Sequence, residues 1–398
     1  MARVRVVVVN YGGGDVTLRC IESLVATSSD AEVSITMVDN AAGDGVSDEV
    51  RERYPSVDVI TPVRNEGFAR GCNLAMRDLA DLDAVALVNN DAVVEPGWLD
   101  PLLEHLSDPT VGAVSPKIVL NHWAAAVVID APASHTVHVE RVEVDGTDIS
   151  HLVRFDERFE GSTTRRPGAC LWWPVDPPSP APSVRLTLRA EAPCTVRVGD
   201  PRAPHEVSVG STSTVVDCAA GAPLRIVNSA GGGLYRGWLG GDVGYLEPDI
   251  GQYDGTRDVF AWCGGAVLLR ADYLRDVGLF DATFFVYYED FDLSCRGRRR
   301  GWRHVYEPRS LVVHEHAWST RAGSDFFRFW NDRNRRLALV KNAPWRVAVR
   351  AVLGAARSGR PVLASMMAAL PHALVERARI NRRSTVRAAD LETWMTTK

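Results

Sequence analysis

Two polar stretches of this sequence carry side chains that could do chemistry, and the first is Asn89–Asn90–Asp91. It follows directly on an apolar run that begins at Ala84. A strand buried on both faces has this pattern, and ligands of open α/β sheets bind beyond the carboxyl ends of strands. A carboxylate with amide neighbours and no cysteine nearby suits a hard cation, Mg²⁺ or Mn²⁺, bound to phosphate oxygens. A polar turn before Pro96 is the alternative interpretation.

The second stretch is an acidic cluster, Glu289, Asp290 and Asp292, which follows the aromatic run FFVYY. Negative charges this close together are unfavourable unless a cation, a substrate hydroxyl or a helix N-terminus compensates them. Asp290 can cap a helix that ends at Gly301, with Asp292 in the first turn. The cluster therefore predicts either a capped helix or a site for general-base chemistry.

The elements that must position the first stretch alternate between strand and helix. Strands are predicted at residues 4–9, 33–38, 57–61 and 84–89, separated by amphipathic helices, the first at residues 15–26. This alternation is typical of a parallel sheet with crossover helices. Three strands finish on polar side chains, namely Asn10 and Tyr11, then Asp39 and Asn40, then Asn89, Asn90 and Asp91. Three such ends along one sheet edge predict a cleft for a nucleotide or sugar nucleotide.

The amino-acid composition is that of a globular protein and argues against several other classes of protein. The chain has 398 residues, 46% of them hydrophobic and 24% charged, which is ordinary for a globular protein of two or three domains. A net charge of −5 gives no reason to expect nucleic acid as a partner. Seven cysteines without CxxC spacing argue against a zinc site or a disulfide framework. No apolar stretch is long enough to span a bilayer, and no signal peptide is predicted.

Four segments resemble the nucleotide-binding half of bacterial family 2 glycosyltransferases, most closely the rhamnosyltransferase-like branch. They are VVVVNYGGGDVTLRCIESL, MVDNAAGDG, RNEGFARGCNLAM and LVNNDAVVEPGWL. The resemblance implies an α/β fold called GT-A, a Rossmann-like, mostly parallel sheet flanked by helices. It also implies an inverting, metal-dependent enzyme that moves a sugar from a nucleoside diphosphate sugar to a hydroxyl.

By this resemblance Asp39 would hold the pyrimidine base, with help from the Asn10–Tyr11 turn. The other residues implied to line the nucleotide are Arg64, Asn65, Gly67, Asn73, Asn89 and Asn90. Asp91 stands in the family's DxD-type motif and would bind the Mg²⁺ or Mn²⁺ that bridges the diphosphate. Because asparagine replaces the first aspartate of that motif, metal affinity is expected to depend strongly on the bound nucleotide.

The run EDFD resembles the ED-x-D motif of the family, whose aspartate after the glutamate acts as general base. That role is assigned to Asp290, so catalysis is favoured over helix capping. Glu289 and Asp292 would orient Asp290 or bind the acceptor.

Other second-half residues take roles from the same resemblance. The acceptor would lie beside the glycine turn, at Trp262, Gly264 and Gly265. A histidine after LVV would bind the metal or the diphosphate, and His314 is preferred to His316. The Arg333–Asn334 pair matches a recurrent RN of the family that would touch the diphosphate or the acceptor, but a solvated basic helix face is the commoner explanation.

Residues 122–236 are predicted to form an inserted module. Period-two alternation between Pro, Gly, Asp and Ser clusters predicts a small antiparallel sandwich or barrel. The predicted parts are a nucleotide-sugar half at 1–121, the insert at 122–236, an acceptor and catalytic half at 237–342, and a helical tail at 343–398. Trp172 and Trp173 would either stack on a sugar or, by preference, anchor the module.

The tail carries nine arginines against one glutamate before Ala389, interleaved with apolar residues. It would either lie on an anionic membrane surface or, by slight preference, form a soluble helical cap or homodimer element. The expected location is the cytoplasm, free or at the inner face of the membrane.

The resemblance favours dTDP-rhamnose or a related dTDP- or UDP-deoxysugar as donor. The acceptor stays open between a cell-wall glycan, a lipid-linked sugar and a natural product. The alternatives are a sugar nucleotidyltransferase, whose glycine- and lysine-rich loop is absent, and a catalytically silent glycan-binding protein, against which the intact NND and EDFD stretches count.

Overall fold

A computed structural model describes residues 1–176, 181–315 and 324–396, and the chain divides into two units. The first unit comprises Met1–Ile118, Ser229–Val243 and Gly255–Lys398, and the second comprises Val119–Asn228 and Gly244–Asp254. The second unit thus overlaps the predicted insert at residues 122–236. It differs because 229–236 belong with the first unit and 244–254 with the second.

The strands are, in chain order, β1 Arg3–Asn10, β2 Glu32–Asp39, β3 Val57–Ile60, β4 Ala84–Val88, β5 Ala92–Val94, β6 Val111–Asp130, β7 Val137–Val144, β8 Thr147–Asp148, β9 Arg154–Phe155, β10 Phe159–Glu160, β11 Thr163–Thr164 and β12 Ala169–Val175. They continue with β13 Ser183–Ala190, β14 Cys194–Gly199, β15 His205–Val209, β16 Thr214–Ala219, β17 Leu224–Ser229, β18 Gly232–Tyr235, β19 Leu239–Asp242, β20 Arg257–Asp258, β21 Ala266–Arg270, β22 Arg303–His314 and β23 Met395–Thr396.

The α-helices are α1 Asp15–Ala26, α2 Val46–Arg53, α3 Gly67–Ala75, α4 Leu99–Glu104, α5 Ala271–Val277, α6 Glu289–Arg299, α7 Asp325–Asn342, α8 Trp345–Gly354 and α9 Arg360–Arg383. Short 3₁₀ helices lie at His105–Ser107, Ala282–Phe284, Ala355–Ser358 and Ala388–Trp394.

The first unit is built on a mixed sheet in the order β6-β21-β4-β1-β2-β3. Strand β1 pairs in parallel with β2 and β4, and β2 in parallel with β3. Strand β21 joins β4 antiparallel and also pairs with β6. The predicted parallel sheet is confirmed, with the antiparallel strand β21 as an addition from the second half of the chain.

Alternate residues of β1 enter cores on opposite faces of this sheet. Val6 and Val8 pack in one cluster with residues of α1, whereas Val7 and Val9 pack in another with residues of α3. Helices therefore cover both faces, which explains why β1 is an uninterrupted apolar run. The register sets Asn10 opposite Asp39 and brings the carboxyl ends of β1, β2 and β4 to one edge.

The second unit contains antiparallel sheets that share a core. One has the order β10-β11-β7-β13-β16. Residues 123–130 of β6 pair antiparallel with β12 and β14 in the other. Side chains of both sheets, such as Val127 and Leu186, belong to one buried cluster, so the unit is sandwich-like as predicted. Trp172 and Trp173 are both buried within this unit, which supports the anchoring interpretation over sugar stacking.

The C-terminal segment of the first unit is helical, as predicted. Helices α7, α8 and α9 share a core that includes Leu337, Ala351 and Met366. Strand β23 then pairs in parallel with β18, where Met395 lies opposite Leu234. Among the described residues, no helix combines the length and the apolar character needed to cross a membrane.

Candidate active site

The side chain of Asn10 connects the polar strand ends of the sheet. Its Oδ1 accepts from Thr17 Oγ1 at 2.8 Å and from Asn90 Nδ2 at 3.3 Å. Its Nδ2 donates to Asp39 at 3.3 Å and to Asp44 at 3.2 Å. Because these bonds are internal and Asn10 is fully buried, it positions Asp39 and Asn90 instead of contacting a ligand itself. Asp44, read from sequence only as part of a glycine turn, is a member of this network.

A second network shapes the loop before α3. Asn40 donates to Asn65 Oδ1 at 2.9 Å and accepts from the backbone N–H of Glu66 at 2.8 Å. Asn65 in turn accepts from the N–H of Gly67, whose φ is +77°. Arg64 is exposed on this loop and pairs with Glu66 at 3.0 Å. The loop is thus held by buried amides and offers Arg64 to solvent.

Asn73 and Tyr11 have contrasting positions. Both polar atoms of the Asn73 side chain bond the backbone of Phe280, at 2.8 and 3.1 Å. This geometry assigns Asn73 to the attachment of α3, in place of the predicted contact with a nucleotide. Tyr11 is exposed at the end of β1, where its ring is available to a ligand.

Asp91 and His314 meet at the carboxyl end of β4. Strand β22 runs antiparallel to β5 with His314 opposite Ala92, and His314 Nε2 lies 2.9 Å from Asp91 Oδ1. Asn89 Nδ2 lies 3.4 Å from the same ring nitrogen. Both Asp91 and His314 are largely buried. The structure therefore brings together these two predicted metal ligands, whereas His316 lies outside the described residues.

A glycine turn joins this end of β4 to the acidic cluster. Asn89 donates its backbone N–H to the carbonyl of Gly265 at 2.9 Å. Gly264 donates its N–H to Asp290 Oδ2 at 3.0 Å. Asp91 and Asp290 are far apart in sequence. Gly265 nevertheless contacts Asn89, two residues before Asp91, and the adjacent Gly264 contacts the carboxylate of Asp290. Both predicted motifs thus border one turn.

Asp290 lies in the second position of α6 and does not cap it, because the N-cap position is occupied by Tyr288. Its Oδ1 accepts from the N–H of Phe291 at 2.7 Å. Burial raises the pKa of Asp290 to about 6; the Asp242 carboxylate adds to this increase and the backbone hydrogen bonds oppose it. An acid with this pKa is mostly ionised at neutral pH and can accept a proton.

Asp242 was missed by sequence reasoning. It ends β19, a strand that pairs with β18, and it acts on both Asp290 and the thiol of Cys263. The residue lies in GGDVG, which reads as an ordinary turn. Only the long-range packing of this hairpin brings its carboxylate to the site.

Glu289 and Asp292 flank Asp290 but face other surroundings. Burial, with a contribution from Asp290, raises the pKa of Glu289 well above its usual range. Its Oε2 has no hydrogen-bond partner among the described residues. Asp292 is fully buried and accepts from Arg296, Lys341 and Asn342. These contacts favour the predicted orienting role of Asp292, which fixes α6, over a contact with the acceptor.

Backbone strain accumulates directly before Glu289. Phe285, Tyr287 and Tyr288 have φ values of 63°, 68° and 68°, in the left-handed region that bulky residues rarely adopt. Each such residue costs about 1–3 kcal/mol, so surrounding contacts must hold the loop. The segment 284–288 is called the strained loop below.

Asn334 of α7 provides such contacts. Its Nδ2 donates to the carbonyl oxygens of Phe284 at 2.6 Å and Val286 at 2.7 Å. The Tyr287 carbonyl lies 3.0 Å from the same nitrogen. Arg333 is also buried and donates to the Thr283 carbonyl at 2.7 Å. The Arg333–Asn334 pair, predicted to touch substrate or to be solvated, instead holds the loop that leads to Asp290.

The side chain of Trp262 packs inside the protein. Its side chain is buried in the core that also contains Phe280, at 6.1 Å between ring centroids. Its burial argues against the predicted contact of Trp262 with the acceptor. Gly264 and Gly265, by contrast, lie at the turn beside Asp290.

Comparisons with known proteins identify the family of this chain. The model called Glycosyl transferase family 2 matches residues 5–126, and the one called Glycosyl transferase family group 2 matches residues 245–375. The chain is 23% identical over 326 residues to N-acetylglucosaminyl-diphospho-decaprenol L-rhamnosyltransferase from Mycobacterium tuberculosis, in strains CDC 1551 / Oshkosh and ATCC 25618 / H37Rv. That match covers 79% of this chain and 76% of the relative.

A solved structure has a similar fold, and a second one aligns more weakly. The crystal structure of GalNAc-T7 with UDP, GalNAc and Mn²⁺ aligns with a TM-score of 0.56 at 13% identity. It covers 99% of this chain, which spans 56% of that chain. The mannosyltransferase PcManGT from Pyrobaculum calidifontis, in complex with GDP-Man and Mn²⁺, aligns with a TM-score of 0.42 at 16% identity, over 98% of this chain and 78% of that one.

The fold and the matches to the two family models define a glycosyltransferase with a GT-A fold. The chain belongs to the family 2 glycosyltransferases, and within them it is similar to a rhamnosyltransferase. The family predicted from sequence is confirmed. Membership of this family argues against the two alternatives, a sugar nucleotidyltransferase and a catalytically silent glycan-binding protein.

Proposed function

We propose that the enzyme transfers a deoxysugar, rhamnose or a relative of it, from a dTDP- or UDP-sugar to a hydroxyl of a lipid-linked glycan. Support for the donor and acceptor classes comes from the relative named for L-rhamnosyl transfer to N-acetylglucosaminyl-diphospho-decaprenol. The observation that carries the reaction type is the Gly264–Gly265 turn. It bonds Asp290 on one side and the Asn89 end of β4 on the other.

Asp290 is the proposed general base. Backbone N–H groups of Gly264 and Phe291 fix both carboxylate oxygens, and the remaining lone pairs can accept a hydroxyl proton. As that proton moves to Asp290, the acceptor oxygen bonds the anomeric carbon from the face opposite the diphosphate. The bond from carbon to diphosphate oxygen breaks and its electron pair leaves with the diphosphate. The configuration at the carbon is therefore inverted.

Asp91 and His314 are the proposed ligands of a divalent cation. A carboxylate oxygen and an imidazole nitrogen 2.9 Å apart and largely buried can share one ion. Among the described residues, no group of three or more His, Cys, Asp or Glu converges on a metal position. Diphosphate oxygens would complete the ligand set. The imidazole favours Mn²⁺ over Mg²⁺, which prefers oxygen ligands. The chemistry that such an ion supplies is neutralisation of the charge on the leaving diphosphate.

The nucleotide would lie along the ends of β1 and β2. Asp39 is held by Asn10 and can accept a hydrogen bond from an N–H of the pyrimidine base. Tyr11 and Arg64 are exposed at the same edge of the sheet, and we assign them to the base and the phosphates respectively. Asn10, Asn65 and Gly67 shape this surface through their internal hydrogen bonds.

Calorimetric titration with dTDP and UDP, with and without Mn²⁺, tests the donor site. We expect binding that Mn²⁺ strengthens, and we expect Asp91→Asn and His314→Ala to remove that Mn²⁺-dependent gain. The matched controls are Asp58→Asn and His151→Ala, at exposed positions that are not among the predicted site residues. Nucleotide binding that neither Mn²⁺ nor the two site substitutions change would refute the metal site.

Transfer itself is tested with dTDP-rhamnose and a short-chain analogue of a lipid-linked glycan. We expect a product with inverted anomeric configuration and slow hydrolysis of the donor when the acceptor is absent. Absence of both, in protein that binds dTDP, would overturn the proposed donor.

A further inference from the structure

Helix α8 exposes a row of large apolar side chains. Trp345, Val349 and Leu353 are spaced four residues apart and lie on one face, with 58%, 49% and 67% of their surfaces exposed. Most exposed apolar residues of a soluble protein occur singly, so a continuous row of this kind marks an interaction surface. This row is called the apolar stripe below.

The rest of α8 is well anchored in the protein. Ala348 and Ala351, on the face away from the stripe, are buried, and Ala351 lies in the core shared with α7 and α9. Trp345 is held by the buried guanidinium of Arg377, which lies 4.1 Å from the centre of its ring. The stripe is therefore a fixed outer surface of a packed helix and not a frayed end.

Arginines lie beside the stripe. At about 100° per residue, Arg346 and Arg350 fall next to it around the helix, and Arg357 and Arg360 follow in the next turns of chain. Arg346 pairs with Glu392. The part of the chain that the structure describes offers no ion-pair partner to Arg350, Arg357 or Arg360, which leaves their charges available to an anionic partner.

The charge of this region is opposite in sign to that of the whole protein. Residues 345–387 contain nine arginines and one glutamate, whereas the whole chain carries −5. Several of these charges are compensated, because Arg346, Arg379, Arg383 and Arg387 pair with carboxylates and Arg377 is buried. The attraction of this region to anions therefore rests on Arg350, Arg357, Arg360 and Arg382. Apolar side chains bordered by arginines are the pattern of a helix that lies in the interface of an anionic bilayer.

We propose that the outer face of α8 docks the enzyme on the surface of an anionic membrane, with Trp345, Val349 and Leu353 inserted among the lipids. A second copy of the chain fits this face less well. Pairing of two identical stripes about a two-fold axis would bring the arginines of both copies together, and like charges across an interface are unfavourable. Anionic lipid headgroups complement the same arginines.

The docking surface goes beyond the proposed function, because it concerns where the enzyme works and not which bond it makes. A lipid-linked acceptor would keep its sugar close to the bilayer. A docked enzyme would therefore encounter the acceptor by diffusion along the membrane surface. Vesicle binding requires neither donor nor acceptor. Its outcome is therefore independent of the transfer assay.

Co-sedimentation of the full chain with vesicles tests the proposal. We expect binding to phosphatidylcholine vesicles that contain phosphatidylglycerol, little binding to phosphatidylcholine alone, and weakening by salt. The double variant Arg350→Glu, Arg357→Glu should lower the partition coefficient about 25-fold or more, at about fivefold for each arginine lost. Leu353→Glu should lower it by a similar factor, because a charge replaces an inserted apolar group.

Val215→Glu is the matched control, since Val215 is an exposed valine on the second unit. It should bind anionic vesicles as the wild type does, and circular dichroism should show that every variant is folded. The proposal is overturned if the wild type does not sediment with anionic vesicles, or if Leu353→Glu binds them as tightly as the wild type. A wild-type dimer that Leu353→Glu dissociates, without vesicle binding, would assign the stripe to a second copy instead.

Discussion

The side chain of Asn334 and the backbone carbonyl of Tyr287 lie 3.0 Å apart, although they are distant in sequence. This contact connects α7 to the strained loop, two residues before Glu289. The same carboxamide also donates to the Phe284 and Val286 carbonyls. A single buried asparagine thus holds several backbone groups of the segment that delivers Asp290 to the glycine turn.

Replacing Asn334 should therefore impair catalysis more than nucleotide binding. Asn334→Ala leaves buried carbonyl oxygens without a donor, and we expect a loss of about 2–4 kcal/mol in the free energy of unfolding. The strained loop should then relax away from its left-handed conformations. We expect kcat to fall at least about tenfold while the Kd for dTDP changes little, measured by steady-state kinetics and calorimetry.

Arg328→Ala is the matched control, because Arg328 lies on the exposed side of the same helix and pairs only with Asp325 among the described residues. It should leave kcat unchanged and alter stability by less than about 0.5 kcal/mol. An Asn334→Ala enzyme that is destabilised but has normal kcat would show that the contacts of Asn334 with the strained loop serve folding alone.

The pH dependence of transfer should report Asp290. The base must be ionised to take the hydroxyl proton, and its pKa is raised to about 6. kcat/KM should therefore fall tenfold per pH unit below about pH 6 and level off above it. Asp290→Asn should bind nucleotide normally and lose about 10²–10⁴-fold in rate.

Asp242 provides a sharper version of this test. Its negative charge contributes to the raised pKa of Asp290, so Asp242→Asn should move the acid limb of kcat/KM to lower pH. Asp58→Asn, at an exposed position on β3, should leave the midpoint unchanged. If the pH at which kcat/KM begins to fall stays near 6 in Asp242→Asn, that decrease reports the titration of a group other than Asp290.

The nucleotide half of the fold could be predicted because its signals are local. Buried parallel strands are β-branched runs, and α1 was predicted over the same residues that the structure shows, 15–26. The polar residues Asn10, Asp39 and Asn90 were recognised at strand ends for the same reason. Their sharing of one hydrogen-bond network follows from the register of β1 with β2 and β4.

The remaining site depends on contacts that the sequence does not display. Asn73 bonds Phe280, 207 residues away, and Asp242 reaches Asp290 only through the β18–β19 hairpin. Trp262 and Gly264 are close neighbours in sequence, but one lies in the core and the other lines the turn. Likewise Asp292 belongs to the recognised motif, yet its partners Lys341 and Asn342 lie on α7.

Gly67 should be intolerant of any side chain. Its φ is +77°, and a Cβ atom there would lie 2.5 Å from the ring of Phe285 in the strained loop. Gly67→Ala should therefore displace Phe285 and lower both stability and kcat. We expect a loss of about 2–4 kcal/mol in the free energy of unfolding, measured by urea denaturation.

Gly43→Ala separates backbone strain from collision. Gly43 has a similar φ of +67°, but a Cβ atom there would meet no atom within 4 Å. We expect Gly43→Ala to cost only about 1 kcal/mol and to leave kcat unchanged. Equal effects of the two substitutions would argue that Phe285 does not press on Gly67.

Lys341 should matter most at neutral pH. Its ammonium group is buried and lies 2.7 Å from Asp281 and 2.8 Å from Asp292. Burial alone would raise the pKa of Asp281, but its attraction and hydrogen bond to Lys341 outweigh burial and lower that pKa below its usual value. Because the pKa is lowered on folding, the stabilisation is present above about pH 4 and is lost as pH falls through the folded-state pKa.

Lys341→Met should therefore destabilise the protein by about 3–5 kcal/mol at pH 7, since it removes the buried ammonium from Asp281 and leaves Asp292 with Arg296 as its remaining cation. The loss of stability relative to the wild type should become smaller as pH falls below about 4, because a protonated Asp281 no longer attracts the ammonium group. Chemical denaturation across this pH range measures it. Arg379→Met removes the cation of an exposed pair with Glu376 and should cost less than about 1 kcal/mol at any pH. A deficit for Lys341→Met that is constant with pH would mean that lost packing, and not lost charge, causes it.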